Sequence, residues 1–268
     1  MLDAFFLPDG DRFVPTELTR GPWDPRAQHA GPPAALLGRA VEHGDGRADM
    51  RVARATFEIL RPVPIAPLEL TTTLLRGGRS VELVGASLAS EGTEVMRLVA
   101  LRMRATHLDL PEGLRQPAMA APPGPDAGRT LSFFPTGSDV GYHTAMEWRF
   151  VEGAFLELGP ATMWLRMRHP LVPGEEPTPL QRVLIAADSG NGVSAILDWR
   201  RWLFINADLT VHLHRHPVGQ WICLQAQTTL DSTGIGLAES VIHDLQGPIG
   251  RGLQTLFVTQ RPNPHKSP

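Results

Sequence analysis

The sequence predicts an α+β protein built from two repeated halves, and three observations carry that expectation. An apolar helix candidate precedes a set of long, alternating strand candidates. The same order then returns about 155 residues later. Between the two copies lies a proline-rich stretch that neither a helix nor an interior strand tolerates. Duplication at this spacing means a repeated domain and not a solenoid of short units. One helix laid on a long antiparallel sheet is an α+β layer arrangement.

In the first half, HAGPPAALLGRAVEHG (29–44) is the helix candidate. Strand candidates follow at 53–65, 67–92 and 94–105, the second folded at a Gly77-Gly78 turn. In the second half the helix candidate runs from about 178 to 198, and strand candidates follow at 207–219, 220–247 and 248–260. Leu209, Val211 and Leu213 alternate there with Thr210, His212 and His214, the period of a half-buried strand. The halves also match in detail: FEILRPV (57–63) parallels VHLHRHPV (211–218), and Glu91-Gly92 parallels Gln246-Gly247 before each final strand.

The break lies at 106–132, where five prolines fall between Pro111 and Pro125. Proline removes a backbone donor and restricts its predecessor, so this stretch is a linker. The expected units are therefore 1–105 and 133–268.

Composition narrows the function classes. The 268 residues are 42% hydrophobic with a net charge of -3, enough apolar material for a packed core. That balance argues against a nucleic-acid binder, whose basic patch would push the pI above about 9. The one cysteine, Cys223, sits in an apolar run. It excludes an intrachain disulfide and a cysteine-based zinc site, and reads as a small buried hydrophobe. The acidic start and short apolar stretch of the N-terminus do not fit a signal peptide, and no later segment offers the roughly 20 apolar residues of a membrane span. A soluble, cytoplasmic protein is expected.

Several motifs give the pattern a family. Trp23 with HAGPPAALL (29–37), LRPV (60–63) and RGGRS (76–80) resembles the first half of the acyl-CoA thioesterase II family and its thioesterase-like relatives. In the second half, ADSGNG (187–192), DLTVHLHR (208–215), GIGL (234–237) and GPIGRGLQ (247–254) continue the resemblance. It covers nearly the whole chain outside the linker, and its specificity lies in the order and spacing of the pieces.

The resemblance implies a double hotdog, each unit a central helix wrapped by an antiparallel sheet. It implies hydrolysis of an acyl-CoA or acyl-carrier thioester in fatty-acid metabolism, with no cofactor, and leaves homo-oligomerisation open. It further implies a water held by an Asp, a Thr or Ser, and a Gln of the C-terminal hotdog; these fall on Asp188, Thr229 and Gln254.

The residues themselves leave alternatives. Asp188 interrupts the apolar run Val183–Ala187, which suits a carboxylate aimed at a water, or a plain helix cap. Alternation puts Thr228 on the face of Ile222, Leu224 and Ala226, whereas the family pattern favours Thr229; a bulge near 231–236 would reconcile them. Gln254 shares a face with Leu256 and Val258, or is a surface Gln on an edge strand. Backbone N–H groups around Ser189–Asn191, at Gly190 and Asn191 above all, are candidates for polarising the thioester oxygen. His212, His214 and His216 alternate as metal ligands can, yet lack an accompanying ligand set, so no metal is expected.

Matching the halves sets Gln254 opposite Val99, Thr229 opposite Leu74, and the Asp188 region opposite the apolar 32–36. The hydrolytic site is therefore expected in the C-terminal half alone. Two other functions stay open: a hotdog enoyl-thioester hydratase, which would use an Asp/His pair, and a non-catalytic acyl-thioester-binding protein.

Overall fold

The structure, a computed structural model, describes residues 4–44, 47, 49–114, 120–133 and 135–261. A short hairpin, β1 (Phe6–Asp9) and β2 (Arg12–Pro15), leads to helix α1 (Gly31–His43). Strands β3 (Met50–Ile59), β4 (Leu68–Arg76), β5 (Val81–Ser90) and β6 (Thr93–Arg104) complete the first half. The second half begins with a single helical turn, α2 (Tyr142–Ala145), and strands β7 (Met146–Glu152) and β8 (Ala161–Met167). Helix α3 (Pro179–Ala187) and the one-turn α4 (Gly190–Val193) follow, then β9 (Trp202–Asn206), β10 (Asp208–Leu213), β11 (Ile222–Leu230), β12 (Ile235–Asp244) and β13 (Gly247–Gln260).

All pairings are antiparallel and join into one sheet, ordered β1-β2-β4-β5-β6-β3-β10-β13-β12-β11-β8-β7, with β9 also on β13. The halves meet at β3 and β10, where Leu209 lies opposite Phe57 and Val211 opposite Ala55. These four side chains are buried, so the seam between halves is core and not surface.

Helix α1 starts with Pro32 and Pro33 in its first turn, where a missing N–H costs nothing and the fixed φ already suits a helix. Its Ala34–Leu37 run is fully buried. Helix α3 is capped by Thr178, whose hydroxyl accepts from the Gln181 N–H at 3.2 Å and donates to Glu42 of α1 at 2.6 Å. The two helices pack against each other. Their approach needs glycine: a Cβ at Gly31 would overlap the Ile185 carbonyl oxygen.

Several expectations change. The helix expected over 178–198 stops at Ala187, turns at Asp188, and resumes only for α4. Gly190 and Gly192 weaken helix there, and Ser189 and Asn191 compete for the backbone. The strand expected over 53–65 stops at Ile59, ahead of Pro62 and Pro64, and that over 207–219 stops at Leu213, ahead of Pro217. Strands β1, β2, β7, β8 and β9 are additional to the expected set. Five successive residues of β8, Ala161–Leu165, are buried, so they carry no period of two for a reader to detect.

The histidine run does not share one strand face. His212 and His214 are exposed, the latter beyond the end of β10, while His216 turns to β3 with its Nε2 2.9 Å from the Val52 carbonyl oxygen. Among the described residues no three His, Cys, Asp or Glu gather as metal ligands could. Within 106–132 the described residues form one 3-10 turn (Pro125–Ala127) and a bridge from Arg129 to Phe150. The Trp164 indole N–H donates to the Pro123 carbonyl at 2.8 Å, so this part lies on the outer face of β8. Cys223 is buried opposite Trp164, and burial pushes its thiol up, which removes it as a nucleophile. No described helix is long and apolar enough to cross a membrane.

Candidate active site

Asp188 is the residue at which α3 ends, and it is 5% exposed. Its helical φ and ψ turn the carboxylate off the helix axis into a polar knot. Oδ1 accepts from Asn206 Nδ2 at 2.7 Å and from Gln254 Nε2 at 3.2 Å. Oδ2 lies 3.0 Å from Nδ1 of His29, the residue that leads into α1. The same Nδ1 is 3.1 Å from the Gly31 N–H. One ring nitrogen cannot donate to Asp188 and accept from Gly31 together. The Gly31 N–H donates to Nδ1, and Asp188 Oδ2 lies at ion-pair distance from the same atom, where it would accept a proton carried there.

The site therefore spans both halves of the protein, which differs from the expectation of a site in the C-terminal half alone. The approach of α1 to α3 is what carries His29 to Asp188. Tyr142 fixes this contact from a third element. Its ring stacks on His29 with centroids 3.8 Å apart, and its hydroxyl donates to the Ile185 carbonyl at 2.7 Å and pairs with Ser189 Oγ at 3.0 Å. Complete burial raises the Tyr142 hydroxyl well above its ordinary range, so it serves as a neutral hydrogen-bonding group.

Gln254, on β13, is buried with both ends of its amide used. Nε2 bonds Asp188 at its carboxylate and at its carbonyl oxygen, and Oε1 accepts from the Asn191 N–H at 3.0 Å. That bond occupies the Asn191 N–H, which corrects its standing as a free donor for a thioester oxygen. The Gly190 N–H has no acceptor among the described residues. Glycine is needed at that position, because a Cβ would meet Ser240 Oγ at 2.8 Å and Gln254 Oε1 at 3.0 Å.

The hydroxyl on the inner face is Thr228. Thr229 is exposed on the opposite face of β11, and the β11–β12 register runs without a bulge from Cys223 to Leu230. This corrects the placement of Thr229. Thr228 Oγ1 lies 2.8 Å from Ser194 Oγ, which donates to the Gly190 carbonyl at 2.9 Å. Thr228 thus reaches the Asp188 group through α4 and not directly.

His29, Asn206, Tyr142 and Ser194 were not legible as site residues. Each comes from a segment remote from Asp188 or from an unremarkable local pattern. The one available signal was the histidine immediately before the Gly-Pro-Pro helix start, a polar residue ahead of a wholly apolar helix.

A cavity of about 410 Å³ reaches this group. Trp23, Ile59, Leu60, Val63 and Phe204 give it apolar walls, and His29, Asp188, Asn191 and Asn206 lie on its polar side. A second, more open groove of about 630 Å³ beside Arg168 and Glu175 lies away from these residues. Apolar walls with a few convergent polar groups describe a pocket for a largely hydrocarbon ligand that carries a reactive polar centre.

A continuous antiparallel sheet carrying two buried helices, in two halves with a polar site between them, defines a double-hotdog protein. The profile of the acyl-CoA thioesterase C-terminal domain matches residues 116–258, and that of the N-terminal domain matches 19–107. The chain belongs to the acyl-CoA thioesterase family. Solved structures agree in fold. A Thermobifida fusca protein assigned as a thioesterase II is 20% identical with a TM-score of 0.74, covering 95% of each chain. A hot dog fold protein of Alicyclobacillus acidocaldarius is 16% identical, TM-score 0.70, covering 97% of each chain. An acyl-CoA thioesterase II of Mycobacterium marinum is 15% identical, TM-score 0.65, covering 96% of each. No curated protein matches the chain.

Proposed function

We propose that this protein hydrolyses an acyl thioester, borne by coenzyme A or by an acyl carrier, at the Asp188–His29 pair. The observation that carries the reading is the 3.0 Å contact between Asp188 Oδ2 and His29 Nδ1 at the polar side of an apolar cavity. In the proposed tautomer the proton sits on Nδ1, toward Asp188, and Nε2 is then free to take a proton, the arrangement a general base needs.

The water oxygen bonds to the thioester carbonyl carbon while His29 takes its proton. The carbonyl oxygen gathers the negative charge, and the Gly190 N–H is the backbone donor left to meet it. Collapse of the intermediate breaks the C–S bond, and the sulfur leaves with the proton from His29. Asn206 and Gln254 hold the Asp188 carboxylate, and Tyr142 holds the imidazole plane. Thr228 and Ser194 brace α4. Of the expected trio, Asp188 and Gln254 stay at the centre, Thr228 replaces Thr229 in a supporting position, and His29 joins.

One observation favours a second reading. The Asp/His pair is what a hotdog enoyl-thioester hydratase would use, and the histidine absent from α3 is supplied by the other half. Incubating the protein with saturated and 2-enoyl CoA thioesters while measuring free thiol and enoyl absorbance separates the two. Thiol release from saturated acyl-CoA supports hydrolysis; loss of the enoyl band without thiol release replaces it with hydration.

A further inference from the structure

We infer that the mouth of this cavity is a phosphate-binding site for the anionic end of a pantetheine thioester, formed by Arg61, Arg261, Arg200 and Arg201. The inference rests on the thioesterase reading for the identity of the ligand, and on independent observations for the chemistry.

Arg61 and Arg261 both line the cavity whose polar side holds Asp188. Arg61 follows β3 in the first half, its backbone held by the Val95 carbonyl at 3.2 Å. Arg261 follows β13 in the second. Its Nε donates to the Trp199 carbonyl at 2.7 Å, and its backbone N–H to the Arg201 carbonyl at 2.9 Å. That bond brings the 200–201 pair to the same rim, where the Arg200 guanidinium lies over the Trp199 ring, 5.4 Å from its centroid.

These four guanidinium groups have no carboxylate partner among the described residues. Several other arginines of this protein sit beside acids: Arg26 with Asp24, Arg39 with Glu175, Arg182 with Glu176. Of the acids near the rim, Asp24 is engaged by Arg26, and Asp198, whose Oδ1 accepts from the Arg200 N–H, offsets only part of the charge of four arginines. A chain of net charge -3 therefore concentrates unneutralised positive charge at one cavity mouth. Arginines without a carboxylate partner, converging from three segments, repel one another. That arrangement is useful where a polyanion arrives to share them, since the guanidinium fork suits phosphate oxygens. A pantetheine thioester with its acyl group and thioester inside the cavity leaves its phosphate outside, on this rim.

The test pairs binding with turnover. Free coenzyme A and 4′-phosphopantetheine are titrated by calorimetry into wild type and into Arg61→Glu, Arg261→Gln and Arg200→Ala/Arg201→Ala variants with melting points within a few degrees of wild type. Wild type should bind coenzyme A with an affinity that falls as salt rises, and the variants should lose at least tenfold, the scale of one charge-assisted bond. Phosphopantetheine matching coenzyme A would mean that one phosphate suffices, as on a carrier; weaker binding would mean that the nucleotide phosphates are read. In turnover, the ratio of kcat/KM for an acyl-CoA to that for the same acyl group on phosphate-free N-acetylcysteamine should fall at least tenfold in Arg61→Glu. Salt-independent coenzyme A binding, or equal loss on both thioesters, overturns the phosphate site. A wild type that binds coenzyme A through these arginines yet hydrolyses neither thioester would overturn the hydrolase reading and leave the phosphate site standing.

Discussion

At the scale of single residues, the site depends on which atom of Asp188 each neighbour takes. Oδ1 is shared by two amides and Oδ2 faces an imidazole, so losing different partners has different consequences. His29→Gln keeps a hydrogen-bonding group near Oδ2 but removes the proposed base, and kcat should fall roughly 10²-fold or more with KM little changed. The two threonines give a sharper contrast because they sit on opposite faces of one strand. Thr228→Val breaks the hydroxyl chain to Ser194 and the Gly190 carbonyl, letting α4 shift, and should cost about tenfold in kcat. Thr229→Val is an exposed change expected to stay within about twofold. Steady-state kinetics on the two variants decides the point; a larger loss in Thr229→Val would move the site to the other face. Strand alternation places Thr228 inward, and the structure does the same; the motif resemblance pointed one residue further along.

Among the elements, the close contact of α1 and α3 brings His29, the proposed base, to the carboxylate, and glycine makes it close. Gly31→Ala forces α1 away from the Ile185 carbonyl and should lower stability by about 1–3 kcal/mol, together with activity. Gly192→Ala meets nothing within 4 Å and should be neutral or slightly stabilising. Thermal melts of both variants check this.

A second element-scale prediction concerns the turn after β12. Burial alone would push Asp244 up, but the Arg215 guanidinium and the N–H groups of Val218 and Gln246 outweigh it and hold the carboxyl below its ordinary value. A depressed carboxylate pKa adds stability that is present above the unfolded value, about 3.9, and is lost as pH falls through the folded one. Arg215→Ala leaves a buried, half-paired charge, costs about 3 kcal/mol at neutral pH, and makes the acid loss below pH 4 shallower. Denaturant melts across pH 2.5–7 read both effects. An unchanged acid limb in the variant would show that Asp244 does not carry it.

The first-half helix and its four long strands were legible because alternation is clean in β5 and the turns carry glycine. The end of α3 was not, since an apolar run continuing past Asp188 reads as helix until the Gly190 and Gly192 penalty is weighed. Strands β7 and β8 escaped for the opposite reason, burial on both faces.

For the whole molecule, duplication explains more than architecture. The β3–β10 seam joins two similar sheets into one, and the facing helices then place residues of the first half against residues of the second. Asp188 and Gln254 could be named from motifs within one half. His29 could not be assigned to them, because that pairing depends on how two units dock and no local spacing records docking. The same docking closes the cavity between Trp23, Ile59 and Leu60 of one half and Phe204 of the other. Specificity should therefore follow both halves: Ile59→Trp should narrow the cavity and lower kcat/KM for long acyl chains more than for short ones. A chain-length series of acyl-CoA substrates reads that shift.

The most direct measurement is kcat of Asp188→Asn on the best acyl-CoA substrate, taken beside its melting curve. The change keeps the side chain's size and the contact to Asn206 but removes the charge that holds His29. Turnover should fall roughly 10²-fold or more, while the melting temperature holds within a few degrees. Near-normal turnover in a folded Asp188→Asn protein would contradict the account and remove Asp188 from the chemistry.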